Sequence, residues 1–162
     1  MIPRKRIMFE EDLHEIFYKF PYLITNESNS IINTIHEYKL NSDSIPDIYI
    51  EEINKKTYCE IKITKLNEKD LYQAMRYLNA LNINRNEIQN EGLSVVLIGM
   101  KVSNQLKKKA SEKGIEIKII GESIPEVIKI CKYCRKAYDF KYLTCNFCNS
   151  DELFEIVTLK YP

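Results

Sequence analysis

Residues 46–64 read PDIYIEEINKKTYCEIKIT. Two runs rich in β-branched and aromatic side chains, Asp47 to Ile53 and Thr57 to Thr64, flank the polar tripeptide Asn54-Lys55-Lys56, and this predicts a β-hairpin. Within a strand, residues i and i+2 share a face, so Glu60 and Lys62 stand side by side while Cys59, Ile61 and Ile63 point the other way. Asp47, at the mouth of the first strand, can approach the face of Glu60. Two carboxylates and an ammonium are thus expected at one end of the hairpin, with apolar side chains behind them.

Working outward, Leu13, Ile16, Phe17 and Phe20 recur at helical spacing between Glu10 and Phe20, and Pro21 ends the run. Polar turn sequence follows from Asn26 to Ser30, then a strand from Ile31 to Leu40. Beyond the hairpin, Glu68 to Leu81 returns to helical spacing through Leu71, Met75 and Leu78. Leu93 to Ile98 is almost wholly apolar between Gly92 and Gly99, as in a strand covered on both faces. Ser103 to Lys113 reads as a Lys-rich helix stopped by Gly114, and Ile115 to Ile120 as a further strand. The predicted order αβββαβαβ calls for an α/β fold, a mixed sheet with helices on its faces.

The hairpin carries the chemistry. Asp47 and Glu60 offer hard oxygen ligands suited to Mg²⁺ or Mn²⁺, which can take up charge developing on a phosphodiester and lower the pKa of a water. Lys62 would stand beside them as a point charge for the transition state. Taken alone, alternating charged and apolar residues also describe a solvated sheet face. Cys59 is expected to be a small core residue, with a reactive thiol as the alternative.

Pro46-Asp47, twelve intervening residues and Glu60-Ile61-Lys62 together resemble the motif of the PD-(D/E)xK nucleases. Gln73 and Tyr77, in QAMRY, match the QxxxY pair that several families of this superfamily place beside the metal to position substrate. Over residues 8 to 120 the order of segments is similar to the nuclease domain of archaeal and actinobacterial NucS (EndoMS) endonucleases: a helix ending in PYLI, the hairpin, QAMRY, SVVLIGMKVS and KGIEIKII. The resemblance implies a restriction-endonuclease-like sheet and Mg²⁺-dependent cleavage of DNA, single-stranded or branched, in repair, recombination or defence. It also implies that a helix-borne Glu completes the metal site. Glu10 is the best match, with Glu11 and Glu15 as rivals. Two paired chains, a homodimer, are one assembly such nucleases use. The sequence departs from that family in its short lead before Glu10, where the family has a large DNA-binding and dimerisation domain, and in its cysteine-rich tail. Mismatch specificity is therefore not implied.

That tail holds Cys131, Cys134, Cys145 and Cys148 as CKYC, ten residues, CNFC, a spacing that closes a tetrahedral structural Zn²⁺ site. A division follows, residues 1–122 as nuclease domain and 123–162 as zinc ribbon, with Glu126 to Ile130 a helical or extended linker and DELFEIVTLK the last strand of a small hairpin. Cationic and aromatic residues around the knuckles (Lys132, Tyr133, Arg135, Lys136, Tyr138, Lys141, Tyr142) suit either a nucleic-acid grip or a mini-core. Lys101, Lys107, Lys108, Lys109 and Lys113 make a second basic stretch. With 24 basic against 23 acidic residues the chain is no general polycation, so any nucleic-acid contact needs a local patch. No apolar run reaches membrane-span length and the N-terminus turns acidic within ten residues, so the expectation is a cytoplasmic protein with no membrane contact. A second function also fits these features: a non-catalytic nucleic-acid- or protein-binding module on a nuclease-like fold.

Overall fold

The computed structural model of the chain describes residues 4–26, 30–81 and 92–161. Most of the turn expected at Asn26 to Ser30 falls outside them. The predicted hairpin forms from β3 (Ile48–Glu52) and β4 (Lys56–Ile61), closed where Glu52 N donates to Lys55 O at 2.7 Å. Around it, β2 (Ile31–His36), β5 (Leu93–Gly99) and β6 (Ile115–Ile119) complete a five-stranded sheet in the order β2-β3-β4-β5-β6. The pairs β2/β3 and β3/β4 are antiparallel, while β4/β5 and β5/β6 are parallel. Parallel neighbours need crossovers, and helices are the usual means. Here α3 (Glu68–Ala80) lies between β4 and β5 in sequence, and α4 (Asn104–Glu112) between β5 and β6. Both helices start on built caps: Asn67 accepts from Lys69 N and Asp70 N while Asp70 reaches back to Asn67 N, and Ser103 accepts from Leu106 N. Gly92 enters β5 with φ 61, where a Cβ would sit 2.3 Å from the carbonyl oxygen of Asn54, so this close approach of two backbones requires glycine.

Side-chain parity sorts the sheet into two faces. Tyr49, Tyr58, Val95, Leu97, Ile115 and Ile119 pack with Leu71, Ala74, Tyr77 and Leu78 of α3 and Leu106 and Ala110 of α4. Ile48, Ile50, Cys59, Ile61, Val96 and Ile98 form the opposite face. They meet α1 (Glu10–Lys19) and the short α2 (Tyr22–Thr25), through Leu13, Ile16, Phe17, Leu23 and Ile24. Leu13 and Phe17 are fully buried, and each such side chain contributes about 1.5–3 kcal/mol of burial. Cys59 is fully buried too, and burial drives its thiol well above the ordinary value, so it is core and not a reactive nucleophile.

The tail departs from the expected small hairpin. Its sheet has four strands, ordered β1-β9-β7-β8, from β1 (Arg4–Arg6), β7 (Val127–Cys131), β8 (Ala137–Asp139) and β9 (Phe154–Thr158). The segment read as a helical or extended linker is the strand β7, because Ile128 and its neighbours find partners on both sides. Three N-terminal residues with no apolar side chain pair in parallel with β9, register Arg4 opposite Ile156, and nothing local in RKR signals a strand. The apolar cluster under α1 and α2 continues through Ile120, Ile124, Ile128, Ala137, Val157 and Leu159, so the two sheets share a core. One side chain fastens the join: the Tyr22 hydroxyl accepts from Ala137 N at 2.7 Å and donates to Ala137 O at 2.9 Å. Among the described residues no helix is long and apolar enough to cross a membrane.

Candidate active site and cysteine cluster

Hairpin register carries Asp47 and Glu60 to one end of the sheet. Asp47 N donates to Cys59 O at 2.9 Å, and Asp47 Oδ2 accepts from Ile61 N at 2.7 Å, which clamps the carboxylate across the hairpin. Glu60 is 1% exposed. Its Oε1 lies 2.7 Å from Lys62 Nζ, and its Oε2 accepts from the Tyr77 hydroxyl. Lys62, one residue past β4, also stands 4.0 Å from Glu10 Oε1. Glu10 opens α1 and its Oε2 accepts from Ile63 N at 3.2 Å, so the helix N-terminus is tied to the strand end. Of the three acidic rivals on α1, the structure brings Glu10 to the cluster, whereas Glu15 pairs with Lys19 on an exposed surface.

The electrostatics follow from crowding. Burial first, then Glu10 and Glu37, push the Asp47 carboxyl up to about 6, against the Ile61 N–H and Lys62, which pull it down. Glu60 is likewise raised, by burial and by Asp47, with Lys62 and Tyr77 opposing. Burial would pull the Lys62 ammonium down, but the Glu60 hydrogen bond and the charges of Glu60, Glu10 and Asp47 outweigh it and hold Lys62 above its ordinary value.

Gln73 and Tyr77 lie one turn apart on α3 beside Glu60, and Tyr77 points into the interior. It is 1% exposed and packs in the same cluster as Leu71 and Leu78 of α3. Its hydroxyl is spent on Glu60 and lies 3.3 Å from Ile45 O, while Gln73 Nε2 donates to it at 3.4 Å. The pair therefore acts on Glu60 first.

Sequence reading overlooked His14. One turn beyond Glu10, it places Nε2 3.5 Å from Asp47 Oδ2, buried and without a hydrogen-bond partner among the described residues. Its Nδ1 is 3.4 Å from Nε2 of His36 on β2. Burial lowers the His14 pKa, which Glu10 opposes and His36 assists, so the ring is neutral near pH 7 and keeps a lone pair for a cation. The Glu10-x-x-x-His14 spacing was the available signal, masked by the core pattern of Leu13, Ile16 and Phe17.

The four tail cysteines also converge. Their Sγ atoms lie within 4.8 Å of one another, with Cys131 to Cys148 at 3.6 Å and Cys134 to Cys145 at 3.5 Å. A tetrahedron of thiolates at the usual Zn–S distance has edges of about 3.8 Å, so the set fits a structural metal. Both knuckles turn alike: Arg135 N donates to Cys131 O and Asn149 N to Cys145 O, each from a residue with φ 61. Tyr138 packs into the cluster while Tyr133 and Tyr142 are exposed, so the surrounding aromatics divide between mini-core and surface.

With this geometry in place, comparison with solved structures identifies the architecture. A repair endonuclease from Pyrococcus abyssi aligns with a TM-score of 0.55 and 19% identity over 70% of this chain and 47% of its own. The fold is shared. The EndoMS protein of an EndoMS–dsDNA complex aligns with a TM-score of 0.54 and 13% identity, over 68% of this chain and 44% of its own. The chain therefore spans less than half the length of either neighbour, and the likeness shows that it shares their α/β fold. No protein-family model matches the sequence, and no curated protein sequence does.

Proposed function

We propose that the chain is a divalent-cation-dependent endonuclease that hydrolyses DNA phosphodiesters, in repair, recombination or defence. One observation carries the reading: Glu10, Asp47, Glu60 and Lys62 converge from α1 and the hairpin, and the buried His14 Nε2, 3.5 Å from Asp47 Oδ2, has no hydrogen-bond partner among the described residues. The donor set suits Mg²⁺ or Mn²⁺, held by Asp47 and Glu60 with Glu10 and His14 as further ligands. Such a cation supplies Lewis-acid charge to a phosphodiester oxygen and lowers the pKa of water. Lys62 neutralises charge developing on the phosphate, Tyr77 and Gln73 hold Glu60 in place, and Ile61 N–H keeps Asp47 aimed. The cysteine cluster takes Zn²⁺, which orders the two knuckles of the tail. The endonuclease neighbours support this reading through the fold they share with the chain.

The test is cleavage of single-stranded, flapped, mismatched and four-way-junction DNA in Mg²⁺ and Mn²⁺. Wild-type protein should cut at least one substrate, and Asp47→Ala and Glu60→Ala should abolish cutting while keeping the wild-type circular-dichroism spectrum. Cleavage retained by either variant, or DNA binding without cleavage by the wild type, overturns the assignment; the latter favours a binding module.

A further inference from the structure

Four cations far apart in sequence, Arg6, Lys65, Lys101 and Lys160, line one cavity of about 550 Å³. Each is held there by backbone structure. Arg6 lies on β1 opposite Thr158 of β9, and the next residue extends the pairing, Ile7 N to Thr158 O at 3.0 Å. Lys65 and Lys101 are set side by side by a parallel bridge, with Leu66 N donating to Lys101 O at 2.9 Å and Met100 N to Thr64 O at 3.1 Å. Lys160 follows Leu159, whose N–H donates to Glu126 O at 2.8 Å.

Among the described residues none of these four cations lies within ion-pair distance of a carboxylate. Glu126 is the one acidic residue in the described lining. Concentrated positive charge without counter-charge raises the energy of the folded chain unless an anion occupies the space. The cavity also borders the carboxylate cluster. Ile63 lines it while donating its N–H to Glu10, and Lys62 is the preceding residue. An anion that fills it and reaches Lys62 must be extended and carry charge along its length. Tyr161, 41% exposed at the same cavity, adds a ring on which a base can stack.

We propose that this cavity seats the phosphodiester backbone of the single strand that adjoins the scissile bond. The proposal rests on the nuclease reading for the identity of the neighbouring site, and its charge argument stands on the cavity. It also shifts the nucleic-acid surface away from the basic stretch on α4, where Lys109 is paired with Glu68 at 2.5 Å.

The test measures binding, without cleavage. Anisotropy of a fluorescein-labelled single-stranded oligonucleotide is followed against salt in buffer free of Mg²⁺ and Mn²⁺, for wild type, R6Q/K160Q, K65Q/K101Q and the α4 control K107Q/K108Q, with thermal unfolding confirming that each is folded. Single strands release counterions with a slope of about 0.7 per phosphate contact, so each cavity pair should lower the log–log salt slope by about 1.4 and weaken binding at ~0.1 M salt on the order of ten-fold. The α4 pair should leave both unchanged. Unchanged slopes in both cavity variants, an equal loss from the α4 pair, or no oligonucleotide binding by wild type overturns the proposal, as does binding of tripolyphosphate in place of the oligonucleotide. A wild type that binds through the cavity but cuts nothing leaves this proposal standing and removes the nuclease one. A wild type that cuts, with cavity variants of unchanged KM and salt slope, does the reverse.

Discussion

The hydroxyl of Tyr77 donates to Glu60 Oε2 in a layer where both residues are 1% exposed. The bond favours ionised Glu60 against the burial that raises its pKa. Tyr77→Phe keeps the ring and removes the donor, so the Glu60 pKa should rise further. On the acid limb, where the rate follows the ionised fraction, each unit of rise lowers cleavage at a fixed pH roughly ten-fold. Raising the pH should restore the rate, and the acid limb of the pH–rate profile should move to higher pH. A loss that is equal at every pH would mean that the tyrosine only packs. The unsatisfied carboxylate should also cost about 1–3 kcal/mol in denaturant unfolding.

Asp47 sets a pH dependence of opposite sense for stability and for cation binding. Its carboxyl is raised by burial from 3.8 to about 6, so the folded state prefers the neutral form. That contribution is fully present below the unfolded pKa and is lost as pH rises through about 6. Without divalent cation the protein should lose on the order of 2–3 kcal/mol from this group across that window, and Asp47→Asn should flatten the loss. A bound cation needs the carboxylate, so the Mg²⁺-induced gain in melting temperature should grow with pH over the same window. Thermal unfolding on each side of pH 6, with and without Mg²⁺, measures both; a Mg²⁺ effect independent of pH would remove Asp47 from the ligand set.

The cysteine cluster ties the tail to the core, since Cys131 ends β7 and the same strand sends Ile128 into the cluster shared by both sheets. Elemental analysis should find roughly one Zn²⁺ per chain, as four thiolates closing one tetrahedral site require. Cys145→Ser should lose it and lower the melting temperature of the whole chain, because Ile128, Ala137 and Val157 of the second sheet pack into the core of the first. A variant that loses zinc while keeping the wild-type transition would show the tail to be an independent unit.

Much of the geometry of the candidate site was legible in residues 46–64, because strand parity is a local property. Alternation alone puts Glu60 and Lys62 on one face and Cys59 and Ile61 on the other; in the fold Lys62 Nζ lies 2.7 Å from Glu60 Oε1, while Cys59 and Ile61 are in the apolar core. The five-stranded sheet and the cysteine cluster were legible for the same reason: periodicity, turn residues and ligand spacing act over a few residues. His14 was not, since its role depends on which turn of α1 faces the hairpin, and nearby apolar residues gave the stronger pattern.

By itself the sequence determined the elements of the nuclease-like sheet, the Asp47-Glu60-Lys62 set and the four-cysteine spacing. Tertiary structure alone decided that RKR becomes a strand beside β9, that the two sheets share one core, and that Arg6, Lys65, Lys101 and Lys160 meet at one cavity. The physical reason is range. Local order is written in neighbouring side chains, whereas the pairing of chain ends and the sum of distant charges depend on contacts that exist only once the chain has folded.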